Sequence, residues 1–287
     1  MFLLQFNDKG DEIMEYVTLN TGAKMPMLGL GVYGMDDTTP ILSAFEVGYR
    51  SIDTAFGYGN EDVVGRAARE SGLKREELFI TTKLSNGAQR EGNIEAEFEQ
   101  SLKNLGMEYV DLYLMHWPVK ECYVDAWLAM EKLYRSGRAK AIGVSNWQDY
   151  HIAAAKKVWS VVPAMNQIEP HPYLTQKPLL EICKAEGIAP ESWSPLGGGN
   201  MGDVKENLLN NEVLKKIGEK YGKSPAQVIL RWNIDLGIVA IPKSVTPSRI
   251  QTNIDIFDFS LTPDEIAAID ALNKNQRTGP DPDNFNF

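Results

Sequence analysis

The chain has 287 residues, a formal net charge of -10 and two cysteines, Cys122 and Cys183. That acidity argues against nucleic acid or an anionic membrane as the main partner, while leaving room for a local basic pocket. Two cysteines are too few for a disulfide framework and fit a reducing setting, so the cytoplasm is the expected location. A single domain over residues 1–287 is expected, and a monomer, because no interface motif stands out.

The first ten residues, "MFLLQFNDKG", hold an apolar run too short for a signal peptide or a membrane span. Residues 1–14 read as an extension ahead of the domain. Next, "YVTLNTGAKMPMLG" places a turn at Asn20–Gly22 between two short extended pieces, a hairpin. Eight short apolar runs follow: 28–32, 50–53, 78–84, 110–116, 141–145, 164–168, 188–194 and 237–241. Many are too apolar to be half-exposed strands, as in a parallel sheet covered by helices.

Helical punctuation separates the runs. Pro40 suits a first helical turn and Gly48 follows its end. Asn60 can cap a helix that stops before Gly72. Ser224–Gln227 (S-P-A-Q) and Thr262–Glu265 (T-P-D-E) read as capping boxes with proline at the first helical position. Eight alternations predict an α/β fold, a (β/α)8 TIM barrel whose bottom the hairpin closes. An open doubly wound sheet is the runner-up, disfavoured because no G-x-G-x-x-G turn follows an early strand.

The polar residues that end these runs are Asp53, Lys83, His116, Ser145 with Asn146, Gln167 and Lys243. The first four ends lie about 30 residues apart, one strand-plus-helix unit, so a barrel brings them to one mouth. Tyr58 joins from the loop after Asp53. Free tyrosine has a pKa of about 10, and a nearby ammonium is expected to lower it. A carboxylate can orient that ammonium, and an imidazole can hold a substrate oxygen. The group suits reduction of a carbonyl with Tyr58 as proton donor. No side chain donates hydride, so a nicotinamide cofactor is implied.

On these residues the chain resembles the aldo-keto reductases. "GYRSIDTAFGYGNE" is similar to the family's segment for the catalytic Asp and Tyr, here Asp53 and Tyr58. "ITTKL" matches the lysine segment (Lys83) and "DLYLMHWP" the histidine segment (His116), while "GVSNW", "NQIEPHP", "SWSPLG" and "IPKSVTPSRI" match cofactor segments. The resemblance implies that Ser145, Asn146 and Gln167 hold the nicotinamide carboxamide and that Trp193 stacks on its ring. It also places Gly31, Val32, Ser194, Pro195, Leu196 and Asn253 along the cofactor. Lys243, Ser244 and Arg249, at the start of a helix opened by Pro247, suit the 2′-phosphate of NADP. NADPH is therefore the expected cofactor.

Two departures from the family pattern bear on ligands. Thr252 stands before Asn253 where relatives often have Glu, which predicts a weaker grip on the adenine. Ser85 replaces a tryptophan frequent soon after the catalytic lysine, removing one aromatic wall. Tyr33, Phe56 and Trp117 are pocket candidates, Tyr33 and Phe56 being equally readable as core, and Phe285 or Phe287 is placed to reach the mouth. "SPLGGGNMGD" (194–203) reads as a loop over the cofactor pyrophosphate. His171 has no second ligand at metal spacing, so no metal is expected. The expected activity is NADPH-dependent reduction of small aldehydes or ketones, with methylglyoxal, a keto-sugar acid such as 2,5-diketogluconate and a generic aldehyde all open as substrates. A non-catalytic nucleotide-binding subunit on the same barrel and a metal-dependent barrel isomerase are the alternatives.

Overall fold

A computed structural model describes residues 3–6, 12–198, 203–285 and 287. Three antiparallel strands come first: β1 (Leu3–Phe6), β2 (Glu12–Thr18) and β3 (Lys24–Pro26), in the order β1-β2-β3. The turn between β2 and β3 closes through Leu19 N to Ala23 O (2.8 Å) and Gly22 N to Leu19 O (2.9 Å), as the hairpin reading expects. The N-terminal segment thus adds a third strand to that hairpin. Asn20 Nδ2 donates to Pro163 O (3.0 Å) and Gly187 O (3.3 Å). Both carbonyls precede strands of the barrel, so the turn is tied to its bottom.

The barrel strands are β4 (Leu30–Gly31), β5 (Ser51–Asp53), β6 (Phe79–Leu84), β7 (Val110–Met115), β8 (Ala139–Ser145), β9 (Met165–Ile168), β10 (Ala189–Ser192) and β11 (Val239–Ala240). Seven of the eight apolar runs contain one of them whole, and β8 starts two residues ahead of the run at 141–145. Neighbours in sequence are neighbours in the sheet, and every pair is parallel. The ring closes where Leu28 bridges Ala240 and where Gly29 N and Ala240 N donate to Ala240 O and Met27 O, each at 2.9 Å. At this seam Gly31 has no substitute: a Cβ there would stand 2.9 Å from Ile241 O.

β6 shows why the runs are so apolar. All six of its residues are buried, including Thr81, Thr82 and Lys83, because the strand is covered by the barrel interior on one face and helices on the other. Helices Thr39–Glu46, Glu61–Glu70, Ile94–Leu105, Tyr123–Arg135, Asp149–Ala155 and Lys177–Glu186 follow successive strands. Both capping boxes form: Ser224 and Thr262 each accept from the backbone three residues on, and Gln227 and Glu265 reach back. Asn60 departs from its expected use. It precedes helix Glu61–Glu70, but its side chain makes no cap. Its Nδ2 donates to Val32 O (2.8 Å) and Met35 O (2.9 Å), and its Oδ1 accepts from Thr54 Oγ1 (2.7 Å). Asn60 therefore straps the loop after β4 to the loop after β5.

Candidate active site

The barrel delivers the polar strand ends to one mouth. Asp53 ends β5, Lys83 sits near the end of β6 opposite Leu114, and His116 follows β7 directly. Lys83 is fully buried. Its Nζ donates to Asp53 Oδ1 (2.5 Å) and to Thr54 O (2.9 Å), and it lies within hydrogen-bonding reach of the Tyr58 hydroxyl. Tyr58 ends a single 3-10 turn, Phe56–Tyr58, that Gly59 closes in the left-handed region (φ 67°). The lack of bulk around Tyr58 thus serves a tight turn that aims the phenol back at the strand ends. The His116 ring meets Tyr58 edge-on at 5.5 Å, and Tyr33 meets Tyr58 from another side at 4.9 Å.

The electrostatics assign each group a state. Burial opposes charge on Lys83, but Asp53 foremost and Tyr58 next more than restore it, so Lys83 stands above its ordinary range and remains an ammonium. Burial pushes Tyr58 upward and the Lys83 charge pulls it back only in part, leaving it above 10. The sequence reading expects the opposite sign, because the ammonium is visible in sequence spacing and the desolvation is not. The resting phenol is consequently a full proton donor, and the help from Lys83 comes when phenolate charge develops. Burial, then Lys83, depress His116 to about 3, so its imidazole is neutral at neutral pH and can donate a hydrogen bond without a charge.

Beneath and beside this group lies a polar network. Gln167 Nε2 donates to Asp53 Oδ2 (2.8 Å) and to Glu191 Oε2 (2.6 Å). Ser145 Oγ donates to Gln167 O (2.8 Å). Asn146 takes a left-handed backbone (φ 62°), and its Nδ2 donates to Ser145 Oγ and His116 O. Its Oδ1 accepts from Trp193 Nε1 at 3.1 Å. Asn146 thereby ties the histidine segment to the indole. Residues 278–279 fix the other side of that indole: a Cβ on Gly279 would come within 2.2 Å of Trp193 Cη2. The buried Glu169 holds this segment by accepting from Thr278 N (2.6 Å) and Gly279 N (3.1 Å). Glu169, Glu191 and the strap role of Asn60 escape the sequence reading; the available signal is an acid inside an apolar run, "NQIEP" and "IAPES".

The remaining candidates spread away from the acid. Val32 N donates to Asp53 O (3.0 Å), which puts β4's exit at the mouth. Ser194, Pro195 and Leu196 leave β10 in a turn closed by Gly197 N to Ser194 O. The loop expected over the pyrophosphate lies in part, at residues 199–202, outside the described residues. Lys243 and Arg249 are exposed, and neither has a carboxylate partner among the described residues. Lys243 lies 5.9 Å from the Tyr33 ring. Helix Pro247–Ile254 starts beside them without a side-chain cap at Thr246. Two unpaired cations at an uncapped helix start fit a phosphate. Thr252 Oγ1 turns back onto Ser248 O (2.8 Å), and Asn253 is buried. Among the described residues no His, Cys, Asp and Glu group has metal-binding form.

Tyr33 is 65% exposed, so it belongs to the mouth and not to the core, whereas Phe56 is half-buried. Trp117 is buried under Phe285 and Phe287, with ring centroids at 5.0 and 5.3 Å. Asn86 and Arg90 hold the Phe287 oxygen at 2.9 and 2.8 Å. Ser85, which takes a tryptophan's place, caps helix Asn86–Glu91 and donates to Glu97 Oε2 (2.5 Å). The two terminal phenylalanines pack on the neighbouring Trp117 and on each other.

Comparison with known proteins agrees with this geometry. The profile of the aldo/keto reductase family matches residues 36–274. The chain is 49% identical to the glyoxal reductase of Bacillus subtilis (strain 168) over 279 residues, covering 96% of this chain and 99% of that protein. It is 46% identical to the methylglyoxal reductase DkgA of Escherichia coli (strain K12), covering 94% and 97%. An aldo-keto reductase solved in complex with NADPH superposes with a TM-score of 0.87 at 34% identity, covering 93% of this chain and 90% of that one. With the barrel, the buried Asp53–Lys83 pair under Tyr58 and these likenesses in hand, the chain belongs to the aldo/keto reductase family.

Proposed function

We propose that this NADP-dependent oxidoreductase reduces small uncharged aldehydes, 2-oxoaldehydes foremost, to the alcohols, with Tyr58 as the acid. One observation carries the reading. Lys83 is fully buried, bonded to Asp53 at 2.5 Å and within reach of the Tyr58 hydroxyl, an arrangement that a protein binding nucleotide without chemistry does not need. Bound nicotinamide supplies hydride to the carbonyl carbon. Tyr58 gives its proton to the carbonyl oxygen, Lys83 stabilises the phenolate left behind, and neutral His116 donates a hydrogen bond that holds the oxygen in place. Lys243, Ser244 and Arg249 would bind the 2′-phosphate, and Trp193 would face the ring.

The substrate class rests on the walls. Tyr33, Trp117 and Phe285 are aromatic, the Lys83 charge is bonded to Asp53, and Arg90 is bonded to the Phe287 oxygen. Lys243, 5.9 Å from the Tyr33 ring, is assigned to the cofactor phosphate, so no cation among the described walls is left for a substrate carboxylate. Similar proteins named for glyoxal and methylglyoxal support the same class. On this reading one chain is a single domain carrying the whole site, and it works as a cytoplasmic monomer; among the described residues no helix is long and apolar enough to cross a membrane. The test is loss of NADPH absorbance across about a dozen carbonyls. Higher kcat/KM for uncharged aldehydes than for keto-sugar acids is expected. Preference for the acids would overturn the substrate class, and no turnover of any carbonyl would overturn the enzyme.

A further inference from the structure

Glu191 is an acid inside β10 that the acid chemistry does not use. It is fully buried and pairs in register with Gln167 on the adjacent strand. The Gln167 amide nitrogen carries two protons. One goes to Asp53 Oδ2 at 2.8 Å and the other to Glu191 Oε2 at 2.6 Å. An amide turned over would aim its oxygen at the acceptor oxygen of Asp53 and would trade two donated bonds for no more than one accepted from Glu191, a loss of roughly tenfold or more in population.

We propose that Glu191 is a positioning residue: with Asp53 it fixes the Gln167 amide, so that Gln167 offers the cofactor only its oxygen and takes the N–H of the nicotinamide carboxamide. The proposal rests on the NADP-binding reading above. It adds the direction of the amide and the group that sets it.

The charge state of Glu191 suits this task. Its Oε1 is buried and has no partner among the described residues. An ionised oxygen left so would be far more costly than a neutral one. Burial first, and then the Asp53 charge, push Glu191 up to about 8, opposed by Gln167 and Lys83. At neutral pH it therefore accepts from Gln167 without placing a second negative charge beside Lys83, whose attraction the developing phenolate needs. A leucine would fill the same space without the orphaned oxygen, so a carboxylic acid here is explained by what it holds.

The test is fluorescence titration of the cofactor-free protein with NADP, and with the analogue in which a methyl ketone replaces the carboxamide and no N–H remains. The unaltered chain is expected to prefer NADP by about tenfold, one hydrogen bond. Glu191→Leu should reduce that preference to about threefold or less, because Gln167 loses one of its two anchors. Glu191→Gln, whose side-chain oxygen can still accept, should keep it within about twofold of the unaltered chain. A 2′-phosphorylated ADP-ribose, which lacks the nicotinamide, should bind all three proteins alike. Should the leucine variant not fold, Glu191→Thr, too short to reach Nε2, replaces it. An intact preference in the leucine or threonine variant, or equal weakening of all three ligands, would overturn the proposal. Failure of the unaltered chain to bind NADP at all would instead overturn the functional reading beneath it.

Discussion

Lys83→Met keeps most of the side chain's bulk and removes its charge, so it isolates what the ammonium does for Tyr58. The Nζ lies 5.1 Å from the Tyr58 ring centroid. At an effective dielectric of about 20, a unit charge at that distance stabilises a developing phenolate by about 3 kcal/mol, or roughly 200-fold in rate. Burial already holds the phenol above 10, so nothing else at the site offsets the loss. On the proton donor, Asp53→Asn acts through the lysine and should cost less, about 10-fold to 30-fold, by leaving a buried ammonium short of its anion. The two should not add: the double variant should turn over within about threefold of Lys83→Met alone. Stability should run the other way. Lys83→Met leaves Asp53 buried with Gln167 Nε2 as its remaining partner and should lose about 3 kcal/mol, part of which the double variant recovers. Steady-state turnover with NADPH and a reactive aldehyde, beside urea unfolding of all four proteins, closes both cycles. If the two losses in rate multiplied, the carboxylate would be acting independently of the lysine, and the coupled acid would be wrong.

Tyr58→Phe removes the proton donor and keeps the ring, so turnover should fall by about 10²-fold or more while NADPH binding by titration barely changes; near-normal turnover would remove Tyr58 from its role. Arg249→Ala should weaken NADPH by about 10-fold to 150-fold and NADH hardly at all, because an exposed cation with no carboxylate partner among the described residues is useful to the extra phosphate alone. Equal losses for the two cofactors would make the arginine structural. Burial depresses His151, which accepts from Gln148 N, to about 4. The unfolded chain then binds a proton that the folded one refuses, so stability falls as pH drops from the ordinary histidine value of about 6.5 toward 4. His151→Gln should remove on the order of 1 kcal/mol of the loss between pH 7.5 and pH 5 in urea unfolding, the shift being discounted for solvent screening, and an unchanged slope would mean that the folded imidazole takes up its proton as readily as the unfolded one.

The strands were legible because a barrel strand is buried on both faces, and such a strand writes itself as an apolar run ended by one polar residue. The acid was legible for the same reason. Strand-plus-helix units of nearly constant length turn a spacing of about 30 residues into convergence at one mouth, so Asp53, Lys83 and His116 announce each other before any coordinate is known. What supports them has no such period. Gln167 reaches Asp53 across 114 residues of chain, and Glu191 meets Gln167 only because β10 lies beside β9. The sequence offers Gln167 as a strand end and Glu191 as an acid in an apolar run, but it names the partner of neither. Asn60 shows the same limit locally: the cap position is right, but the side chain serves Val32 and Met35, which the fold carries to it from 28 and 25 residues upstream. The sign for Tyr58 fails for a related reason. A neighbouring charge is a pairwise property that spacing can suggest, whereas desolvation sums over every atom around the hydroxyl. Here the sum outweighs the pair. The chemistry benefits from that order: a phenol held protonated at rest loses no donor to solvent, and the lysine's stabilisation is reserved for the moment the proton leaves, when it lowers the barrier instead of the ground state.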